Sequence, residues 1–309
     1  MKRFRNVLLV AGLEDGPIPR YLFDRALRLA RRNQAKLTLI DVVPENELVS
    51  EILPLELVER DLRERREALD RLAEAAQREG VEVETEITTG KPFLEITRRV
   101  QSSKHDLVVT DGGRGPDARG WINGTTMHLM RKCPCAIWIA RPRPGNRYTR
   151  VLAAIDPYPT DPDRNSLNRK ILGLAVSVAE LEESELHVVQ AWRLFRAPVG
   201  EAPEVWEGWE RTARIELNRR LHEFLAAHSL GSNPQIHLVA GRPSLAITQI
   251  AHEKQIDLLV MGTVCRTGIR GFFIGNTAEG VLRRVNCSLL TLKPEGFVSP
   301  VRASEDSGV

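Results

Sequence analysis

The chain has 309 residues, of which 42% are hydrophobic and 28% are charged, and its 44 basic residues nearly balance 41 acidic ones. This length suits two domains of about 150 residues, each with a hydrophobic core of its own. The net charge of +3 is too small to attract nucleic acid or an anionic membrane, and neither is predicted as a partner.

The N-terminus has to be distinguished from a signal peptide, because an apolar run follows a basic segment. The run Val7–Leu13 meets Glu14-Asp15 without a small-residue cleavage site, so we interpret it as a buried strand. No apolar run approaches the ~20 residues of a membrane span. The cysteines are too few for a disulfide scaffold, which favours a reducing, cytoplasmic location. They are Cys133, Cys135, Cys265 and Cys287.

The first half alternates short apolar runs with helical patterns. The predicted strands, rich in β-branched residues, are Val7–Ala11, Leu37–Val43, Val81–Ile87, Leu107–Thr110 and Ala136–Ala140. Between the second and third strands, an apolar stripe from Val58 to Ala76 predicts a helix, and Gly80 suits its C-terminal cap. Acids and bases four positions apart indicate that this helix has one solvated face.

A link rich in proline, glycine and arginine, Arg141–Thr149, leads into a second half with the same order of elements. The predicted strands there are Val151–Ile155, Leu186–Ala191, Gln235–Ala240, Leu258–Met261 and Ser288–Leu292. Helical stripes run from Leu167 to Leu181 and from Trp206 to Phe224. Each half is therefore predicted to be a Rossmann-like α/β domain, with a five-stranded parallel sheet and helices on both faces. The predicted boundaries are residues 1–146, residues 147–296 and a flexible tail, residues 297–309.

The two halves share separated motifs in one register, which indicates a duplicated domain. At an offset of 151, Gly90-Lys91-Pro92 matches Gly241-Arg242-Pro243, Asp106-Leu107 matches Asp257-Leu258, and Gly124-Thr125-Thr126 matches Gly275-Asn276-Thr277. Cys135 matches Cys287 one residue further on.

Ligands of open parallel sheets bind beyond the carboxyl ends of the strands, which directs attention to the loop after the second half's fourth strand. This loop contains glycines from Gly262 to Gly275 and precedes a helix. Glycines let backbone amides approach a phosphate, and a helix N-terminus adds donors. On spacing alone, a plain glycine-containing loop with Asn276 capping the helix is an equally good interpretation.

The stretch Gly262–Pro294 resembles the signature of universal stress proteins, whose nucleotide-binding members carry G-x2-G-x9-G-[S/T]. The spacing is intact, with cysteine for the second glycine and asparagine for the hydroxyl residue. The resemblance covers nearly the whole chain once per half, as in tandem universal stress proteins of the E type. It implies that Asp156 faces a nucleotide and that Ala191 presents backbone groups to the adenine. The implied site is Asp156, Ala191, Gly262, Cys265, Gly275, Asn276 and Thr277.

The first half departs further from the family pattern. Gly12 stands where the second half has the acid Asp156, and the glycine loop is one residue short. Aligned without a gap, Asp111 replaces a glycine and would repel phosphate. We therefore expect no ordinary nucleotide binding at the degenerate site, which consists of Gly12, Gly112, Gly115, Gly124 and Thr125.

Other chemical motifs are missing from the sequence. His222-Glu223 and His228 are spaced too widely for the zinc motif H-E-x-x-H. Cys133-Pro134-Cys135 lacks the C-x-x-C spacing, and we interpret it as small residues leading into a strand. Neither a Walker loop nor a nucleophile elbow occurs. No catalytic residue, metal or required cofactor is predicted, and the protein is not expected to be an enzyme.

The resulting hypothesis is a stress-response binding protein whose halves pair inside one chain. The last strands of the two halves would pair, because bare apolar edge strands invite aggregation. An ATP-type nucleotide would bind in the second half only. Two alternatives stay open, namely a scaffold holding an apolar or sugar-containing metabolite and a nucleotide-handling transferase, although the S-G-G-x-D-S and H-I-G-H runs of adenylating enzymes are missing. Homodimerisation of the whole chain, the stress and the protein partner also stay open.

Overall fold

A computed structural model describes most of the chain. The described residues are 3–12, 18–45, 54–112, 122–158, 161–193, 203–228, 230, 233–263 and 275–302. They form two compact units. The first contains the described residues up to Arg147 and those from Ser288 onward, and the second contains the described residues between Tyr148 and Cys287.

The first unit opens with five parallel strands separated by helices. The strands are β1 (Asn6–Ala11), β2 (Lys36–Pro44), β3 (Val83–Gly90), β4 (Leu107–Asp111) and β5 (Ala136–Ala140). The helices are α1 (Arg20–Asn33), α2 (Leu55–Arg78), α3 (Pro92–Ser102) and α4 (Gly124–Lys132). Their spatial order, β3-β2-β1-β4-β5, reverses beside β1, which places a ligand crevice at the carboxyl ends of β1 and its neighbours.

The second unit repeats this layout. Its strands are β6 (Arg150–Ala154), β7 (Glu185–Trp192), β8 (Gln235–Ala240) and β9 (Leu258–Gly262). Its helices are α5 (Pro162–Glu182), α6 (Pro203–Ala226), α7 (Pro243–Glu253) and α8 (Asn276–Leu282). The strands are parallel in the order β9-β6-β7-β8, so β6 holds the place that β1 holds in the first unit.

The last strand of the chain, β10 (Ser288–Leu292), packs with the first unit. It pairs antiparallel with β5, and Trp138 lies opposite Leu290 at the centre of the pairing. These two residues are equivalent positions of the two repeats, so the strand pair is symmetric about them in the manner of an isologous contact. The prediction that the last strands of the halves pair inside one chain is confirmed.

One carboxylate in each unit, half-buried at Asp106 and buried at Asp257, ties the first strand to the fourth. Asp106 accepts hydrogen bonds from the backbone N–H groups of Arg5 (2.7 Å) and Asn6 (3.2 Å). Asp257 accepts equivalent bonds from Thr149 (2.5 Å) and Arg150 (3.1 Å). The motif that revealed the duplication therefore has a structural cause, since each acid satisfies backbone donors at a strand start.

Two boundaries differ from the sequence-based expectations. Val81 does not begin β3, because its N–H donates to the carbonyl of Ala76 (3.1 Å) and closes the end of α2. Residues 297–302 were expected to be loose, yet they pack on the first unit. The carbonyl of Val301 accepts a hydrogen bond from Gln101 (3.1 Å), and Val301 is only 8% exposed. Among the described helices, none has the length and apolar character needed to cross a membrane.

Candidate functional site

Asp156 follows β6 at the carboxyl edge of the second sheet, and its backbone is held in place by α5. Its N–H donates to the side-chain oxygen of the buried Asn168 (3.1 Å). Its half-buried carboxylate pairs with the guanidinium of Arg164, which also lies over the ring of Tyr158 (5.1 Å to the centroid). Burial lowers the pKa of Arg164. The acid expected to face a nucleotide therefore already has a cation beside it.

The neighbouring strand β7 contributes a polar group that the resemblance did not indicate. Gln190 is 2% exposed, and its side-chain oxygen accepts no hydrogen bond from the described residues. It directly precedes Ala191, which is half-buried near the end of the strand. A buried acceptor without a partner costs about 1–3 kcal/mol, so this oxygen is a natural place for a donor from a ligand. The sequence signal was a single amide between the apolar pairs Val188-Val189 and Ala191-Trp192.

Gly262 ends β9, and its lack of a side chain matters for the packing of α5 on the sheet. A Cβ atom there would lie 2.9 Å from Leu167 Cδ2 and 3.6 Å from Ile171 Cδ1, both on α5. The first contact is closer than van der Waals packing allows. Glycine at this position avoids a close contact between β9 and α5, which is a different reason from the phosphate space expected from the sequence.

The loop from β9 returns at Gly275, where α8 starts. The N–H of Gly275 donates to the carbonyl of Thr263 (2.9 Å), so the two ends of the loop meet. Gly275 is the N-cap and has no side-chain cap, whereas Asn276 is the first helical residue and is exposed. The interpretation of Asn276 as the cap is therefore wrong. Thr277 follows it in the first turn and is half-buried.

The equivalent turn of the first unit shows where the two repeats differ in length. The N–H of Asn123 donates to the carbonyl of Gly112 (2.6 Å), and its side chain caps α4 by accepting a backbone hydrogen bond at 2.8 Å. Asn123 therefore corresponds to Gly275, and Gly124 corresponds to Asn276. Equivalent residues of the two repeats are 151 positions apart at Gly112 and Thr263, but 152 apart at Asn123 and Gly275. The match of Gly124 with Gly275 made from the sequence is therefore corrected. The residue that the first repeat lacks belongs to the loop before α4.

The crevice of the first unit is filled by its own acid. Gly12 has a left-handed backbone (φ +64°), and a Cβ atom there would lie 2.6 Å from Asp41 Oδ1. Asp41 is 5% exposed and stands on β2, opposite Ala11. Its Oδ2 accepts from Arg65 Nη1 (3.1 Å), which together with Asp61 forms a small ionic cluster, while Oδ1 has no partner among the described residues. Burial raises the pKa of Asp41, against the opposing effect of Arg65.

Strand register shows that Asp41 and Gln190 occupy equivalent places. Ile40, the residue before Asp41, lies opposite Val10 of β1. Val189, the residue before Gln190, lies opposite Ala154 of β6. In the second unit the acid, Asp156, follows the central strand, whereas in the first unit the acid, Asp41, lies on the neighbouring strand. Sequence alignment of the repeats showed that Gly12 stands where the second half has Asp156, but it did not show that Asp41 supplies a carboxylate from the neighbouring strand.

The structure gathers the described part of the expected second-half site at one sheet edge. Since β6, β7 and β9 run parallel, their carboxyl ends meet there. The expected residues that lie at this edge or at the following helix are Asp156, Ala191, Gly262, Gly275, Asn276 and Thr277. In the first unit, Gly12 and Gly112 directly follow β1 and β4, while Gly124 and Thr125 begin α4. Cys265 and Gly115 lie outside the described residues.

The histidines considered as metal ligands face their own helix. His222 Nδ1 contacts the carbonyl of Asn218 (2.8 Å), and His228 Nδ1 contacts that of Phe224 (2.6 Å). Within the described part of the chain, no cluster of three or more His, Cys, Asp or Glu side chains is placed to hold a metal ion.

Comparison with known proteins identifies both halves. Residues 4–141 and 147–293 match the model of the universal stress protein family. Universal stress protein E of Escherichia coli (strain K12) is 32% identical over 235 residues, which cover 74% of this chain and 73% of that protein. A universal stress protein E homolog of Haemophilus influenzae is 24% identical over 94% of this chain and 98% of its own length. The crystal structure of a functionally unknown protein from Pseudomonas aeruginosa PAO1 has the same fold, with a TM-score of 0.75 at 24% identity over 95% of this chain and 94% of that one. The chain belongs to the universal stress protein family.

Proposed function

We propose that this universal stress protein is a binding protein that holds one ATP-type nucleotide per chain, at the carboxyl edge of the second unit, without turning it over at an enzymatic rate. The observation that carries the proposal is the contrast between the two crevices. In the first unit, Asp41 occupies the space beside Gly12. In the second, Asp156 stands after the central strand, and the buried side-chain oxygen of Gln190 has no partner in the described part of the chain.

The polar groups of the second crevice suit the nucleoside part of such a ligand. Ribose hydroxyls donate to carboxylates, and Asp156 presents one at the edge of the sheet. The unpaired oxygen of Gln190 accepts from a hydroxyl or an amine, which repays the cost of its burial.

Arg164 sets a limit on the affinity. Its guanidinium contacts the carboxylate of Asp156, so a ribose has to share that acid with a resident cation. The pair is partly exposed, with side-chain exposures of 23% for Arg164 and 31% for Asp156, which keeps its strength modest. We therefore expect binding weaker than that of a family member with an intact motif.

Isothermal titration of the full chain with ATP tests this function. We expect one site per chain at most, and Asp156→Asn should weaken binding about tenfold, which corresponds to the loss of one charged hydrogen bond. Asp41→Asn is the matched control, because it changes the equivalent crevice and should leave the number of sites and the affinity unchanged. Two equal sites, or equal effects of both substitutions, would contradict the proposal.

Native mass spectrometry of the protein purified without added ligand tests the alternative ligands. A retained nucleotide that Asp156→Asn releases supports the proposal. A retained apolar or sugar-containing metabolite that both variants keep would favour the scaffold hypothesis. Steady ATP turnover at ~1 per second or faster, lost in Asp156→Asn, would favour an enzyme.

A further inference from the structure

Two cysteines meet at the junction of α4 and β5. Cys133 is the C-terminal cap of α4, and its extended backbone (φ −70°, ψ 132°) turns the chain through Pro134 into the strand. The turn brings Cys133 Sγ within 3.5 Å of Cys135 Sγ, both as free thiols. The sequence motif was interpreted as small residues only, since it lacks the C-x-x-C spacing. The structure shows instead two sulfurs in contact.

A buried lysine lies at the same junction. Lys293 directly follows β10 and is 9% exposed. Its ammonium donates to the carbonyl of Met130, lies 3.5 Å from the carbonyl of Arg131, and stands over the ring of Phe297 (4.5 Å). These carbonyls belong to the last turn of α4, where a cation is favoured by the helix dipole. Lys293, from the second repeat, thus places its charge at the helix turn that ends in Cys133, where it acts electrostatically on that thiol.

The charge and the hydrogen bond affect the ionisation of the thiols. Burial opposes ionisation of Cys133, but the hydrogen bond from Cys135 and the charge of Lys293 leave the pKa of Cys133 below its usual value. The pKa of Cys135 is raised well above its usual value, chiefly because Cys135 shares its proton with Cys133. Burial lowers the pKa of Lys293 to about 8. One thiolate shared between two sulfurs is the arrangement found in reactive dithiols.

The second repeat offers a natural comparison. Cys287 precedes β10 as Cys135 precedes β5, and it is also buried. Val285 stands two residues earlier, where the first repeat has Cys133. Cys287 therefore shares the strand position and burial of the pair, with valine instead of cysteine two residues earlier.

We propose that Cys133 and Cys135 are a reversible redox couple that exchanges with low-molecular-weight disulfides. Cys135 is the more exposed of the two. In the first step the shared proton passes from Cys135 to Cys133, and the Cys135 thiolate attacks the small disulfide, which forms a mixed disulfide and releases one small thiolate. In the second step Cys133 gives its proton to that small thiolate and attacks Cys135 Sγ, which closes the Cys133–Cys135 disulfide and releases the second small thiolate. The two protein thiols lose two protons and two electrons, and the small disulfide gains them as two thiols.

The test uses the full chain incubated with oxidised glutathione, quenched in acid and alkylated after unfolding. We expect the peptide that contains Cys133 and Cys135 to escape alkylation and to carry an internal disulfide, while Cys287 is alkylated completely. Dithiothreitol should restore alkylation of the pair. Cys135→Ser should abolish the protected species, and Cys287→Ser, the matched control, should leave it intact.

Other outcomes would overturn the proposal. These are full alkylation of both cysteines after incubation, a stable mixed disulfide on Cys135 that Cys133 does not resolve, and oxidation of Cys287 to the same extent. Lys293→Met gives a second measurement on the folded protein. Oxidation should become about threefold slower for each pKa unit by which the thiols lose acidity, because the fall in the thiolate fraction outweighs the gain in nucleophilicity. An unchanged rate would show that Lys293 does not activate the pair.

Discussion

The two crevices come from the same duplicated fold, yet they place their acid on different strands. In the second unit Asp156 follows the central strand β6, and a neutral Gln190 stands on the adjacent strand. In the first unit glycine follows β1, and the acid Asp41 stands on the adjacent strand, inside the space that glycine leaves. The difference shows that one copy can close its crevice with a single shifted carboxylate while the fold around it stays the same.

The largest expected effect comes from giving the first unit the acid of the second. Gly12→Asp should destabilise the protein by about 4 kcal/mol, because it places a side chain in a left-handed backbone and a second carboxylate against Asp41. Chemical denaturation measures this change. The double variant Gly12→Asp with Asp41→Ser should recover a large part of the loss, and no recovery would mean that Asp41 does not fill the crevice.

A pH effect should also distinguish the two units. His105 of the first unit is 4% exposed, and its ring contacts Thr38 Oγ1 (3.0 Å) and the carbonyl of Arg99 (3.3 Å). Burial lowers the pKa of His105 to about 4. The unfolded chain therefore binds this proton from about pH 6.5 downward while the folded protein does not. The free energy of unfolding should fall between about pH 6.5 and pH 4 by at most about 3 kcal/mol from this residue.

The second unit carries Ile256 at the corresponding place, so this part of the acid sensitivity should belong to the first unit. His105→Gln should reduce the pH slope without abolishing it. Burial also lowers the pKa values of His187 and His237, which contact each other across β7 and β8 (3.0 Å). An unchanged slope in His105→Gln, measured by urea unfolding at several pH values, would contradict this assignment.

A smaller effect tests whether Gly262 serves packing. Gly262→Ala should destabilise the ligand-free protein by about 2 kcal/mol, because its Cβ would press against Leu167. Adding Leu167→Ala removes the clash. The double variant should therefore be less destabilised than the sum of the two single variants. Thermal or urea unfolding gives both values. If Gly262→Ala left stability unchanged and reduced only nucleotide affinity, the glycine would serve the ligand instead.

The smallest effect concerns the resident cation of the second crevice. Arg164→Met should tighten ATP binding about fivefold, since Asp156 would no longer be shared between the guanidinium and a ribose. The matched change in the first crevice, Arg65→Met, should leave binding unaffected. Weaker binding in Arg164→Met would show that this arginine contacts the phosphates of the ligand.

Much of the fold could be predicted from local patterns. Strands such as β5 and β10 were placed at their observed bounds, because short apolar runs have few alternatives in a repeated α/β pattern. The repeat of Asp106 and Asp257 predicted duplication correctly. The bounds of β3 were less predictable, because Val81 is apolar and buried like a strand residue but serves the end of α2.

By itself, the amino-acid sequence determined the order of the elements, the duplication, the family and the residues at the edge of the second sheet, since periodicity and spacing are local along the chain. Only the tertiary structure decided that Asp41 fills the space at Gly12, that the Gln190 side-chain oxygen has no partner among the described residues, that Gly262 lies against Leu167, and that Lys293 donates to the last turn of α4 next to Cys133. Each of these contacts joins residues from different elements. Their distances depend on strand register and helix packing, which a linear spacing of residues does not contain.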